Sequence, residues 1–223
     1  MSGHGNDLRF NGYYMKTKLK IVLTALELFN ERGERNVTTN HIAENLNISP
    51  GNLYYHFRNK QEIIQSIYDI YENELLTSFA PIESDNSVNL FETYMGSIFN
   101  MMWKYRFFYS NLPELLFNDA ELHARYSATQ KRLRENLWQI CLLFRDAELL
   151  AMNDKEQEAV ITNIHLIATN WLNYQTALKY ETNVLKSDVI GGVKQMLSVV
   201  QPYATSKGNS VLSSCIVRIL DNG

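Results

Sequence analysis

The run Ser49-Pro50-Gly51-Asn52 puts four short side chains where a helix can begin, and Tyr54-Tyr55-His56 puts two phenols and an imidazole one turn later. Short residues at a helix N-terminus let its end reach deep into a nucleic-acid groove. The hydroxyls and the imidazole can then bond phosphate oxygens, and the rings can rest against thymine methyls. No other grouping suggests a reaction. The five histidines (His4, His41, His56, His123, His165) show no HExxH or other ligand spacing, and the chain has no phosphate-binding glycine loop and no GxSxG. Its acids are scattered over helix faces, where solvation accounts for them. The chain is therefore expected not to be an enzyme and to use no cofactor and no metal.

Two short helices joined by a turn, 39–46 and 50–56, must hold those residues. Ala43 is small enough to let the pair approach, and Ile42, Leu46, Ile48 and Leu53 can form a miniature core. An ordinary helical hairpin needs the same apolar positions. It does not account for Gly51-Asn52 and Tyr54-Tyr55-His56 on the face left exposed. Upstream, Val22, Ala25, Leu26 and Phe29 recur at helical spacing, Ile21 and Leu28 widen the stripe, and Gly33 suits a cap closing a helix over 16–32. Thr38 or Thr39 offers the next N-cap, Asn47 can end that helix, and Ser49 can cap the one after, with Pro50 at its first position. Asn59-x-x-Glu62 resembles a capping box for a fourth helix running to about Phe79, where Pro81 stops it.

The remainder reads as further helices over about 88–105, 112–117, 120–149, 154–180 and 187–203. Capping-box candidates lie at Asn118-x-x-Glu121 and Asn153-x-x-Glu156. The chain holds only four prolines and ten glycines in 223 residues, which favours helices over many short strands. The expected fold is all-α, a three-helix helix-turn-helix head on a larger helical-bundle body. Residues 1–14 lack helical pattern and are expected to be a disordered extension. Residues 206–223 alternate polar and apolar and are expected to be a peripheral tail. The head then covers 15–62 and the body 63–205.

Charge follows the same division. Residues 16–60 hold seven Lys/Arg against four acids, although the whole chain carries −3. A basic head on an acidic body suits local contact with DNA. No apolar run is long enough for a membrane span, and Cys141 and Cys215 lie far apart and outside any CxxC spacing. A reduced cytoplasmic interior without membrane contact is the expected setting.

The stretch ALELFNERGERNVTTNHIAENLNISPGNLYYHFRNKQEII resembles the DNA-binding domain of the TetR family. The likeness is carried by Ala25, Leu28, Phe29 and Gly33 in the first helix, by Val37-Thr38-Thr39, by Ile42-Ala43-x-x-Leu46, by ISPGxLYYHF and by the following xNKxxI. It covers about fifty residues. Beyond residue 80, YRFFYSNLPELL…ELHARY looks like one recurring variety of the family's C-terminal region. The resemblance implies double-stranded operator DNA as partner and gives residues their roles. Thr38 and Thr39 stand where a hydroxyl and free N–H groups meet phosphate, and Asn40 where some members read a base. Ser49, Pro50, Gly51 and Asn52 form the start of the recognition helix, and Tyr54, Tyr55 and His56 its groove-facing and phosphate-facing side. Lys60 stands where a lysine opens the fourth helix toward phosphate. The recognition helix carries no arginine, so the guanine fork is missing and readout is expected to rest on few contacts and on DNA shape.

The body is dense in large aromatics, which fit either plain core packing or an apolar ligand cavity. The resemblance adds an inducer pocket framed by helices four to seven. Its expected lining is Tyr68, Phe99, Met102, Trp103, Phe107, Tyr126, Leu137 and Trp171. Apolar faces on the last two long helices, Val160, Ile161, Ile164, Ala168 and Leu172 on one and Val189, Val193, Met196, Leu197 and Val200 on the other, suit pairing with a second copy. In the resembling family this is how homodimers form. The expected function is a ligand-responsive transcriptional regulator, a repressor that releases a palindromic operator when a small hydrophobic effector binds. The alternative is a DNA-binding adaptor controlled by a protein partner.

Overall fold

The computed structural model describes the backbone of residues 5–82, 87–179 and 183–221 and the side chains of 16–82, 88–179 and 183–214. Among the described residues it holds ten α-helices and no β-strand. They are α1 (Gly5–Arg32), α2 (Thr39–Asn45), α3 (Pro50–His56), α4 (Lys60–Ser78), α5 (Ser87–Lys104), α6 (Arg106–Asn118), α7 (Ala120–Asp146), α8 (Asp154–Lys179), α9 (Lys186–Val200) and α10 (Ser206–Asp221). The fold is the all-α one expected, with a helix-turn-helix near the N-terminus. The chain divides into two compact units, Met1–Ile70 and Tyr71–Gly223, and the division falls within α4.

The first unit is built around Ile21, Ala25 and Phe29 of α1. These are buried with Val37, with Ile42 and Ala43 of α2, with Leu53 and Phe57 at α3, and with Ile63 and Ile67 of α4. Gly33 ends α1 at φ 79°, a conformation that costs a side-chain-bearing residue free energy. Asn47 ends the α2 turn at φ 53°, which asparagine tolerates better than most residues.

In the second unit α8 and α9 form the most extensively packed pair, and α5, α6 and α7 pack around them. Pro113 sits inside α6 and lacks the N–H that would bond the Tyr109 carbonyl four residues back. The Asn173 side chain of α8 donates to that carbonyl instead, at 3.1 Å. This replacement lets α6 run through the proline for 13 residues, whereas the sequence suggested only about 112–117.

Several expectations need correction. Residues 5–14 belong to α1, not to a structureless extension; residues 1–4 lie outside the described residues. Extending a helix already fixed at 16–32 adds a hydrogen bond per residue without a new nucleus, and the two glycines at 5 and 12 cost only about 1 kcal/mol each. The cap of α7 is Asp119, whose carboxylate accepts from Leu122 N at 2.9 Å, not Asn118. The Asn59 side chain accepts from Glu62 N as expected, but the Glu62 carboxylate reaches back to Arg58 N, one residue earlier than a capping box requires. Residues 206–221 form α10, with Val211 and Leu212 buried; residues 222–223 lie outside the described residues. Thr205 N donates to the Leu149 carbonyl at 3.1 Å, Ala151 N to Tyr203 O at 2.8 Å and Lys207 Nζ to Ala147 O at 2.8 Å. Gly208 passes so near that an added Cβ would lie 2.0 Å from Leu149 O.

Candidate nucleic-acid interface and internal cavities

Local capping fixes both helices of the turn. Thr38, in an extended conformation, accepts from His41 N at 3.3 Å, and Thr38 N donates to His41 Nδ1 at 3.3 Å. Histidine thus replaces the glutamate of a usual capping box. Ser49 Oγ accepts from Asn52 N at 3.1 Å and Pro50 follows, so α3 starts where the sequence placed it. Tyr54 OH lies 3.1 Å from Thr39 Oγ1, joining the middle of α3 to the start of α2.

Thr38, Asn40, Ser49, Pro50, Gly51, Asn52, Tyr54 and Tyr55 are exposed, and Thr39 is half-buried beside Tyr54. Tyr55 is 63% exposed, which no packing role requires. At Gly51 an added Cβ would meet nothing nearer than Ser49 Oγ at 3.9 Å, so the fold does not need the glycine. The exposed residues lie at the start of α2 and along α3, an arrangement that can present hydroxyls, amides and helix N-terminal N–H groups to a polyanion.

Two of the expected contact residues are oriented otherwise. Lys60 Nζ lies 2.6 Å from the Glu34 carboxylate and donates to the Glu34 carbonyl at 3.0 Å. It therefore ties the turn after Gly33 to the first residue of α4. Glu34 was missed by sequence reasoning, and an acid in the short turn between Gly33 and Val37 is a weak signal. His56 is half-buried against Tyr55, with ring centroids 5.3 Å apart. Burial, helped by the charge of Lys18, holds its imidazole below the usual histidine value, which disfavours a cationic phosphate contact. Lys18, also missed, stands over the Phe57 ring at 5.2 Å.

Two apolar cavities lie among the described residues of the second unit. One is bordered by Tyr71, Leu75, Met102, Leu133, His165 and Met196 among others. The other is bordered by Phe91, Ile140, Phe144, Leu150, Val160 and Val200 among others. Of the expected pocket residues, Met102 and Leu137 border a cavity. Tyr68 is buried in the first unit. Trp171 packs on Gly191 and Gly192 of α9 and donates to Asp188 O at 2.6 Å. Trp103 lies under the Arg106 guanidinium at 4.1 Å. Phe99, Phe107 and Tyr126 border neither cavity. Tyr71 and Tyr109 share a hydroxyl–hydroxyl contact of 3.2 Å, and burial pushes the Tyr109 phenol up to about 12.

The faces expected to pair two copies are largely internal. Val160, Ile161, Leu172, Val189, Val193, Met196, Leu197 and Val200 are all buried within the single chain. Ile164 and Ala168 border a cavity. The large apolar residues that α8 leaves exposed are Leu166, Tyr174 and Leu178.

Residues 21–67 match the family model described as bacterial regulatory proteins, tetR family, and residues 70–212 match TetR, bacterial transcriptional repressor. A crystal structure of a TetR-family transcriptional regulator from Marinobacter aquaeolei VT8 is similar, with 36% identity and a TM-score of 0.77 over 89% of this chain and 97% of that one. IcaR of Staphylococcus epidermidis, the negative transcriptional regulator of the biofilm operon icaADBC, is 31% identical over 48% of this chain and 60% of its own length. UidR of Escherichia coli K12, an HTH-type transcriptional regulator, is 35% identical over 33% of this chain and 38% of its own. The chain thus matches less than two thirds of either curated relative. The ketosteroid regulator KstR2 of Mycobacterium tuberculosis, at 15% identity and a TM-score of 0.60 over 85% of this chain and 96% of that one, shares the fold alone.

Proposed function

This chain belongs to the TetR family of bacterial transcriptional regulators, and on that premise we propose that it is a ligand-responsive repressor working as a homodimer. Its relatives are DNA-binding regulators and not enzymes. In this reading the first unit contacts operator DNA through Thr38, Thr39, Asn40, Ser49, Pro50, Gly51, Asn52, Tyr54 and Tyr55. Lys60 positions the head through Glu34 and adds its charge near phosphate. The second unit binds a small hydrophobic effector and pairs with a second copy through the exposed α8 residues Leu166, Tyr174 and Leu178.

One observation carries the ligand-responsive part. The helix α4 that begins at Lys60, pinned to the head by Glu34, also supplies Tyr71 and Leu75 to the cavity walls, and Phe79 follows at its end. A ligand that binds better to one arrangement of α4 shifts the population of DNA-competent heads, and only by its differential affinity. Operator fragments selected from random DNA, followed by titration of the complex with hydrophobic metabolites, test the reading. Release by at least one compound is expected. A protein stabilised and released by none of them is the adaptor controlled by a protein partner. DNA affinity should also fall steeply with salt as counterions are released, and a flat dependence contradicts the head's role.

A further inference from the structure

The two cavities share a wall. Phe79, Ile98, Leu137 and Ile164 border both of them. The cavities are therefore neighbours, with these aliphatic and aromatic side chains between them. Their chemistry differs sharply. In the cavity of Phe91 and Phe144 the Tyr94 hydroxyl is already spent on Ala80 O at 2.7 Å. Its remaining polar group is the Cys141 thiol, which burial pushes up to about 11 and so keeps neutral. A cavity with so few polar partners holds water poorly, and hydrocarbon fills it at least cost.

The other cavity has a polar portion. Tyr71 and Tyr109 satisfy each other, and Thr169 donates to His165 O at 2.8 Å. The Gln130 amide and the His165 imidazole, both half-buried, border the same space. No Lys, Arg, Asp or Glu among the described residues borders either cavity. Burial, with the Arg134 charge as a second cause, holds His165 below the usual histidine value, so it supplies no counter-ion near neutral pH. Arg134 itself is engaged by Glu158 and Thr162. A charged ligand would lose its hydration there without a partner. A neutral hydroxyl, ketone or amide would meet one donor–acceptor amide and one imidazole.

We propose that the two cavities are two chambers of one site for an elongated, uncharged amphiphile. Its hydrogen-bonding head lies at Gln130 and His165. Its hydrocarbon tail passes Ile98, Leu137 and Ile164 into the chamber of Phe91, Ile140 and Phe144. The proposal rests on the ligand-responsive reading above and specifies the chemistry of that same site.

Calorimetric titration of the full chain tests it, with 1-hexanol, 1-octanol, 1-decanol, decanoate and decyltrimethylammonium as probes below their aggregation limits. Affinity for the alcohols should rise about fourfold per methylene buried. Decanoate and decyltrimethylammonium should bind at least tenfold more weakly than decanol. Gln130→Leu or His165→Leu should weaken decanol about tenfold, the equivalent of one hydrogen bond left unmade. Cys141→Phe and Ile140→Phe fill the tail chamber from two positions. In either variant that folds, hexanol binding should persist while the gain from hexanol to decanol collapses. Preference for the carboxylate or the ammonium overturns this proposal and leaves ligand responsiveness standing. So does a length dependence untouched by filling the tail chamber. Binding of none of the probes overturns the proposal. If the metabolite titration of the operator complex also gives no release, ligand responsiveness falls with it.

Discussion

Replacing Lys60 by methionine removes the cation that Glu34 holds at 2.6 Å. At an effective dielectric of 20 the gross attraction at that distance is about 6 kcal/mol, most of which offsets desolvation. The Glu34 side chain is 11% exposed and that of Lys60 30%, so the pair is neither a surface bridge nor a fully buried one. A surface pair contributes about 0.5 kcal/mol, and truncating a buried pair costs about 3–5 kcal/mol. The expected loss for Lys60→Met is therefore about 2 kcal/mol, and it is local. The three tryptophans lie at 103, 138 and 171, outside the first unit, so their fluorescence is a poor reporter of it. Hydrogen exchange is better placed, because the Val37 amide bonds the Glu34 carbonyl at 3.2 Å and opens with the turn. Lys60→Met should lower the opening free energy there by about 2 kcal/mol. The double variant Glu34→Gln/Lys60→Met should recover most of it, since no unpaired charge remains. Should the cycle give a coupling below about 0.5 kcal/mol, the positioning role is wrong. If operator binding meanwhile loses about one unit of salt slope, Lys60 acts as a direct phosphate contact instead.

Three further substitutions test separate parts of the structure. Tyr55→Ala should weaken operator binding about tenfold with exchange in the first unit unchanged, and binding equal to wild type would remove Tyr55 from the interface. Gly208→Ala sets a methyl against the Leu149 carbonyl, so it should cost roughly 2 kcal/mol or more and expose the amides of α10 to exchange. An unaltered melting temperature would contradict the close approach. Glu72 is raised by burial, but the Thr129 hydroxyl, the bond and charge of Arg125 and the charge of Arg132 more than offset this and hold its carboxyl below the usual glutamate value. A depressed carboxylate adds stability above its unfolded value and loses it as pH falls through the native one. The stability lead of wild type over Glu72→Gln at pH 7 should thus shrink and vanish below the ordinary glutamate range, and a lead that persists there refutes the assignment.

The first unit was legible because its signals are local. Thr38 and Ser49 cap within three residues, Gly33 and Asn47 end helices through their own backbone, and Asn153 with Glu156 forms the capping box its spacing announced. What escaped the sequence is set at long range. The 3.6-residue stripe on α9 shows that Val189, Val193 and Met196 are buried, but the same stripe would serve a second chain or the molecule's own core. Lys60 and Glu34 are 26 residues apart, and nothing in either neighbourhood pairs them. Helix α10 depends on one glycine fitting against the 149 carbonyl, which no periodicity encodes. Cavities are where side chains fail to meet, and several of the aromatics expected as lining meet other side chains or the backbone, as Phe107 and Tyr126 do with Phe108 and Trp171 with Asp188.

Helix α3 has seven residues, about 10 Å along its axis, which matches roughly three steps of a DNA strand. A word of three or four base pairs recurs by chance about every 60 to 260 base pairs, roughly tens of thousands of times in a bacterial chromosome of a few million base pairs. In the paired form proposed above, a molecule with so small a vocabulary finds its address mainly by measuring distance. For the paired heads proposed above, one inserted base pair between half-sites turns the second by about 35° and shifts it by about 3.4 Å. Such an insertion should disturb binding as much as changing a contacted base, although every contacted base is still present.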